Sequence, residues 1–184
     1  MNWKNTTERY GSLSISLHWF MLLLLFGVYL CINLHNWAPK GSDLRQTFKT
    51  WHFMLGLSVL ALVVVRLAAR FLMPNPRLLP EIPAWQRHSA LLMHGTLYAF
   101  MLLMPILGWT TLSSGGKVIP FFGLHLPPLM DVDKLLSRSV KEIHETLGTI
   151  GYYLIGLHAA AALFHHYFVR DGTLLRMLPR RREP

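Results

Sequence analysis

Two histidines, His144 and His158, lie fourteen residues apart in the last long apolar stretch of the chain. An α-helix turns about 100° and rises about 1.5 Å per residue, so both imidazoles return to one face within roughly 40° and lie roughly 21 Å apart. Imidazole binds transition metals, and an ionisable side chain inside a membrane span is costly without a partner. The spacing therefore predicts two metal-sized sites on one helix, one near each side of a bilayer.

The helix that carries these histidines belongs to a chain that is 52% hydrophobic and only 15% charged, as is typical of membrane bundles. Four apolar stretches each approach the ~20 residues that a spanning helix needs. We therefore predict an all-α membrane protein, a four-transmembrane-helix bundle that forms a single domain over residues 1–184. The helices are expected at about 15–34, 48–73, 88–112 and 140–169. Cys31 is the only cysteine, which excludes an internal disulfide and a cysteine-bound iron–sulfur cluster.

The first apolar stretch follows Lys4 and Arg9, as the core of a signal peptide would. It is longer than such a core and ends without a small-x-small cleavage site, so we interpret it as a retained helix. With the N-terminus inside, eleven Lys and Arg residues fall on the inner side and seven on the outer side. This excess predicts that both termini are cytoplasmic. The net charge of +9 is then explained by a basic inner surface that faces anionic lipid. The chain has no nucleic-acid motif.

Two connecting segments have distinctive compositions. PNPRLLPEIP, between the second and third helices, holds four prolines and predicts a stiff inner linker. The outer segment from about Ser113 to Ser139 contains FFGLHLPPLM, which is apolar but too short to span. It predicts a lid or an interfacial turn on the outer face.

Small residues surround the histidines of the second and fourth helices. They are Gly56, Gly148, Gly151, Gly156 and Ala159–Ala162. Such residues favour either close helix packing in a membrane or room for a flat macrocycle, and their spacing leaves both interpretations open.

Depth in the bilayer sorts four histidines into two pairs. His18 begins the first helix at the inner side, where the antiparallel fourth helix brings His158, and His52 and His144 both begin helices at the outer side. Paired imidazoles of this kind can hold a six-coordinate b-type haem between helices. Another metal, a proton relay and purely structural histidines are the alternatives. Structural zinc is disfavoured because it takes four clustered ligands.

Three further residues lie near the inner pair. His94, in the third helix, competes with His18 as the partner of His158, and we interpret it as lining the metal site or a quinone pocket. His165 follows His158 by seven residues and is either an interfacial polar residue or a contact for a quinone headgroup. Arg66 reaches the same depth, where it either meets a haem propionate or snorkels to lipid phosphate.

Two lysines lie near the outer pair. Lys49 and Lys141 each precede a proposed ligand by three residues. They are candidates to neutralise propionates or to attract an anion towards the haem edge, and solvated surface lysines would have the same pattern.

The chain resembles the bacterial cytochrome b561 family over almost its full length. The resemblance rests on SLHW, WHFMLGLSVL, HETLG, IGLHAAAALFHHYF and the LLRMLPRR tail. It implies a multi-pass protein of the bacterial inner membrane that holds two b-type haems. The ligands that it implies are His18, His52, His144 and His158. A similar arrangement occurs in the cytochrome b subunits of formate dehydrogenases and hydrogenases.

Some members of this family are superoxide oxidases, which pass electrons from superoxide at the outer surface to ubiquinone at the inner side. Applied to this chain, the resemblance implies anion steering at the outer haem by Lys49, Arg45, Lys141 and Arg138. It also suggests a ubiquinone pocket that includes His165 and Ser16. The outer segments hold five acidic residues against seven basic ones, so steering requires a favourable local arrangement.

Three functions follow from these patterns. The leading hypothesis is an oxidoreductase that carries electrons from an outer one-electron donor, with superoxide favoured, to ubiquinone. The second is a cytochrome b anchor that relays electrons between a partner dehydrogenase or hydrogenase and the quinone pool. The third is a membrane scaffold or transporter without haem.

Overall fold

The computed structural model describes residues 3–7, 9–74, 76 and 83–178. Within them the chain forms four long helices: α1 Ser12–Trp37, α2 Asp43–Leu72, α3 Ala84–Ser114 and α4 Lys134–Phe164. All four are long and apolar enough to span a membrane, which confirms the predicted four-helix bundle. Most of the PNPRLLPEIP linker, the end of the LLRMLPRR tail, and the inner-side residues Arg77 and Arg180–Arg182 lie outside the described residues.

The helices extend beyond the apolar stretches that located them. Helix α2 begins at Asp43 because the hydroxyl of Ser42 caps it and accepts a hydrogen bond from the Arg45 amide at 3.2 Å. Helix α4 begins at Lys134 because the Asp133 carboxylate accepts from two amides of its first turn. At its other end α4 runs into one π-helical turn, His165–Val169, so the predicted end near residue 169 marks the end of that turn.

The packing of the bundle joins α1 to α2, α2 to α3 and α3 to α4. Its central core holds Met21, Val59, Val63 and Met101, which α1, α2 and α3 contribute. Helix α4 packs mainly against α3 and has the smallest buried share of the four. Most large apolar side chains on the outside of the helices are exposed, as expected for a surface that faces lipid.

One end of the bundle, which we call the hairpin end, carries a short β-hairpin formed by β1 Ile119–Phe121 and β2 Leu124–Leu126. Phe122 and Gly123 both have positive φ, as a two-residue hairpin turn requires. The hairpin occupies the segment expected to form a lid or interfacial turn, and Ile119 packs into the bundle. The opposite end, which we call the terminal end, joins the start of α1 to the segment after α4 through a hydrogen bond from Trp19 Nε1 to the Met177 carbonyl.

Candidate functional site

The first of two histidine pairs lies near the hairpin end. The ring centroids of His52 and His144 are 6.2 Å apart and their planes cross at 84°. His52 Nδ1 donates a hydrogen bond to the carbonyl of Val28 at 3.0 Å, which fixes the proton on that nitrogen and leaves Nε2 as the available ligand. His144 Nδ1 is buried, and its interaction with the backbone of Met104 falls short of standard hydrogen-bond geometry, so it has no well-formed partner among the described residues.

The second pair lies near the terminal end. The ring centroids of His18 and His158 are 6.3 Å apart, with an interplanar angle of 65°. Two imidazole nitrogens that each lie about 2.0–2.1 Å from one metal ion place their ring centroids roughly 6 Å apart when they face each other across it. Both pairs have this separation, so their geometry fits an iron bound between two imidazoles. The structure brings together the partners that depth in the bilayer had suggested.

A third imidazole lies at the terminal end. The ring of His94 is 5.5 Å from that of His158, which is closer than His18. Distance alone therefore leaves two possible partners for His158. No cluster of three or more His, Cys, Asp or Glu residues positioned to hold a metal ion occurs in the described part of the chain, which favours two-ligand pairs over a structural zinc site.

Arg66 contacts one of the paired histidines directly, which its depth in the sequence had not predicted. Its Nη2 donates a hydrogen bond to His18 Nδ1 at 2.9 Å, and its guanidinium lies 5.6 Å from the ring centroid of Tyr98. Because arginine only donates, His18 Nδ1 accepts, and a neutral His18 ring carries its proton on Nε2. This is the opposite tautomer to that of His52. Metal binding through Nε2 would require this proton to move to Nδ1, where the N–H would replace the hydrogen bond from Arg66.

The glycines near the histidines differ in how much space surrounds them. At Gly56 and Gly156, each within four residues of a paired histidine, a side-chain Cβ would meet nothing within 4 Å. At Gly108 a Cβ would lie 3.4 Å from the His144 ring, which is an ordinary van der Waals contact, so α3 passes close to this imidazole. At Gly151 a Cβ would collide with the Phe100 ring. Helix packing therefore accounts for Gly151, whereas Gly56 and Gly156 leave room for a flat group beside the histidines.

Two His pairs bridging antiparallel helices are the geometry of a membrane cytochrome b, and comparison with known proteins agrees. A profile of the prokaryotic cytochrome b561 family matches residues 9–180. The chain belongs to this family.

Relatives in the cytochrome b561 family cover nearly the whole chain. Cytochrome b561 homolog 1 of Escherichia coli K12 is 40% identical over 175 residues, which are 95% of this chain and 99% of the relative. A Yersinia pestis protein named probable superoxide oxidase CybB is 33% identical over 95% of this chain and 98% of its own length. Cytochrome b562 of Cereibacter sphaeroides is 30% identical over 92% and 94% of the two chains.

Membership of the cytochrome b561 family assigns the coarse function. The chain is a multi-pass bacterial membrane protein that binds b-type haem and transfers electrons across the membrane. Haem carries one electron at a time, and its potential depends on the axial ligands, nearby charges and hydrogen bonds.

Basic residues of this cytochrome b line a cleft at the hairpin end. The cleft has a volume of about 360 Å³ and is lined by Gln46, Lys49, Thr50, Phe53, Lys117, Val118 and Pro120. Lys49 Nζ lies 5.9 Å from the Phe53 ring centroid, and that ring is 6.1 Å from the ring of His52. Lys49 thus lies one aromatic ring away from a histidine pair, and Lys117 lines the same cleft.

The structure changes the expected set of steering residues. Lys141 forms an ion pair with Glu145 at 2.9 Å, and Arg45 donates to the Ala38 carbonyl at 3.0 Å. Arg138 is exposed. Lys117, which sequence reasoning did not single out, reaches the cleft only because the hairpin segment folds back over α2.

The two residues proposed to contact quinone lie at the terminal end. His165 Nδ1 is 2.5 Å from Asp171 Oδ2, and its side chain is 24% exposed. Ser16 is exposed on α1, two residues before His18, and no hydrogen bond joins it to His165, although the structure describes both residues. Asp171 was missed because it follows the apolar stretch and no spacing rule connects it to a histidine.

Proposed function

We propose that this protein oxidises superoxide at the outer side of the bacterial inner membrane and reduces ubiquinone at the inner side, using two b-type haems. Residues 1–184 act as one domain, and both termini lie in the cytoplasm, so the hairpin end is periplasmic. The observation that carries the proposal is the pair of imidazoles at each end of the bundle. His144 and His158, one from each pair, lie fourteen residues apart on α4, or roughly 21 Å.

The histidines hold and orient the two haems. His52 and His144 bind one iron, and His18 and His158 bind the other. When bound, each haem supplies a one-electron carrier. Arg66 places a permanent positive charge beside the inner haem, where it can pair with a propionate.

The outer cleft favours an anionic donor. Lys49 and Lys117 line it, and clefts lined by one sign of charge raise the local concentration and the on-rate of an oppositely charged substrate. Each superoxide anion gives up one electron and leaves as dioxygen. Two such electrons, together with two protons, convert one ubiquinone to ubiquinol. The name of the Yersinia pestis relative supports superoxide as the donor.

A second candidate function is an anchor for a partner dehydrogenase or hydrogenase. The observation that favours it is the apolar surface of the hairpin end, where Val118, Phe122 and Leu124 are 64%, 54% and 65% exposed. A partner that covers this surface would deliver electrons in place of a small anion.

Rapid mixing of the purified protein with superoxide separates the two functions. We expect prompt haem reduction, followed by reoxidation when a short-chain ubiquinone is added. Haem reduction that requires a membrane extract instead of superoxide would establish the anchor and refute the oxidase. His144→Ala is expected to remove the outer haem spectrum, and retention of both spectra would refute the proposed ligand.

A further inference from the structure

The chain makes an unusual reversal after α4. It leaves the helix through the π-helical turn His165–Val169 and turns back at Arg170, whose φ of 58° is left-handed. A left-handed non-glycine residue is uncommon, and π-helical turns occur frequently at functional sites. The reversal returns Asp171 to α4, where its Oδ2 accepts a hydrogen bond from His165 Nδ1. The backbone is thus shaped to bring this carboxylate to this imidazole.

The carboxylate of Asp171 is held from its other side as well. Its Oδ1 accepts from the Thr173 amide at 2.9 Å, and the side chain is only 8% exposed. Burial acts to raise the pKa of Asp171, but hydrogen bonds from Thr173 and His165 outweigh burial and lower that pKa below its ordinary value of 3.8. Asp171 is therefore an anion at neutral pH.

An ionised carboxylate can only accept, so the proton on His165 Nδ1 is committed to Asp171. The second ring nitrogen, Nε2, is left to exchange a proton with another partner. A carboxylate that orients an imidazole in this way is a common arrangement in acid–base catalysis.

We propose that Asp171 is a positioning residue that holds His165 as the proton donor to ubiquinone, an inference that rests on the proposed function. In the donating state His165 carries protons on both nitrogens. As two electrons reach the quinone, the Nε2–H bond breaks, an O–H bond forms on one quinone oxygen, and the ring becomes neutral. Water from the inner side reprotonates His165, and the second quinone oxygen takes the next proton.

Other polar groups of this segment have different partners. Arg170 Nε donates to the Tyr167 carbonyl at 3.3 Å, and the His166 ring packs against the Tyr167 ring. From α1, Trp19 approaches the segment and binds the Met177 carbonyl at 2.6 Å. The Asp171 carboxylate itself is held by His165 and Thr173.

The test compares two electron acceptors. The haem-loaded protein is reduced with dithionite and then mixed with a short-chain ubiquinone, which takes protons with its electrons, or with ferricyanide, which takes electrons alone. For Asp171→Asn we expect the saturating rate of reoxidation by quinone to fall about tenfold, with the half-saturating quinone concentration changed less than twofold. The rate with ferricyanide is expected to be unchanged. Asp171→Glu, which keeps the charge, is the matched control and is expected to restore most of the quinone rate.

The outcomes separate this inference from the proposed function. If ubiquinone does not reoxidise the wild-type protein, the proposed function fails. If it does, and Asp171→Asn matches wild type or slows both acceptors equally, the positioning role is refuted. If Asp171→Asn does not retain haem, Asp171→Ser, another uncharged replacement, decides in the same assay. Slower reoxidation by quinone but not by ferricyanide supports the inference, and equal effects overturn it.

Discussion

Replacing Arg66 with methionine is expected to lower the reduction potential of the haem that we propose is bound between His18 and His158, here called the inner haem. Half of the 6.3 Å separation between the His18 and His158 rings, about 1 Å from the ring centre to Nδ1 and the 2.9 Å from Nδ1 to Arg66 Nη2 place the guanidinium charge roughly 7 Å from a bound iron. At an effective dielectric of about 20, a unit charge at that distance favours the reduced state by about 2 kcal/mol. Since tenfold in equilibrium is about 59 mV for one electron, we expect a decrease of about 50–100 mV.

A redox titration followed by visible absorption measures this shift, with the inner haem assigned in a His144→Ala background. Arg70→Met is the matched control, because Arg70 also lies over the Tyr98 ring, at 5.8 Å, but does not bond to His18. We expect a smaller shift from it. An inner haem whose potential is unchanged in Arg66→Met, or falls equally in both variants, would refute the argument from proximity.

Three other experiments test the sites. His94→Ala is expected to leave both haem spectra intact, and loss of the inner spectrum would identify His94 as a ligand. Gly151→Val introduces a steric clash and is expected to lower the free energy of unfolding by about 1–3 kcal/mol, as measured by thermal unfolding. Gly156→Ala, the control, is expected to be nearly neutral. Equal losses of stability in the two variants would contradict the packing assignment. Lys117→Gln is expected to slow haem reduction by superoxide severalfold at low salt and less at high salt. Lys40→Gln, another change of outer charge, is expected to have little effect, and equal slowing in both would argue against the cleft.

The fold was predictable because the thickness of the bilayer sets the length of each apolar stretch in the sequence. A spanning helix needs about 20 apolar residues, so four such stretches determine four helices, and their alternating direction determines which histidines share a depth. That is why His18 could be matched with His158, and His52 with His144, before any contact was known.

What sequence could not provide depends on side-chain and loop conformation. Depth in the bilayer predicted that His94 lies near the inner pair. It did not predict the distance from His94 to His158, because that distance depends on how α3 packs against α4. Lys117 enters the cleft at the hairpin end because Gly116, with a φ of 65°, turns the chain after α3 and β1 then packs against α2. Asp171 reaches His165 because Arg170 reverses the chain. Local conformations of this kind leave little trace in hydrophobic periodicity.

Helix α4 contributes one imidazole to each histidine pair, while α1 and α2 each contribute to one. Because α4 is continuous between His144 and His158, sliding it along its axis by a single turn would separate both pairs at once. If each pair holds a haem, as we propose, binding of one haem fixes the axial position of α4 for the other site. Assembly of the holoprotein should be cooperative, with half-loaded molecules scarce when haem is limiting.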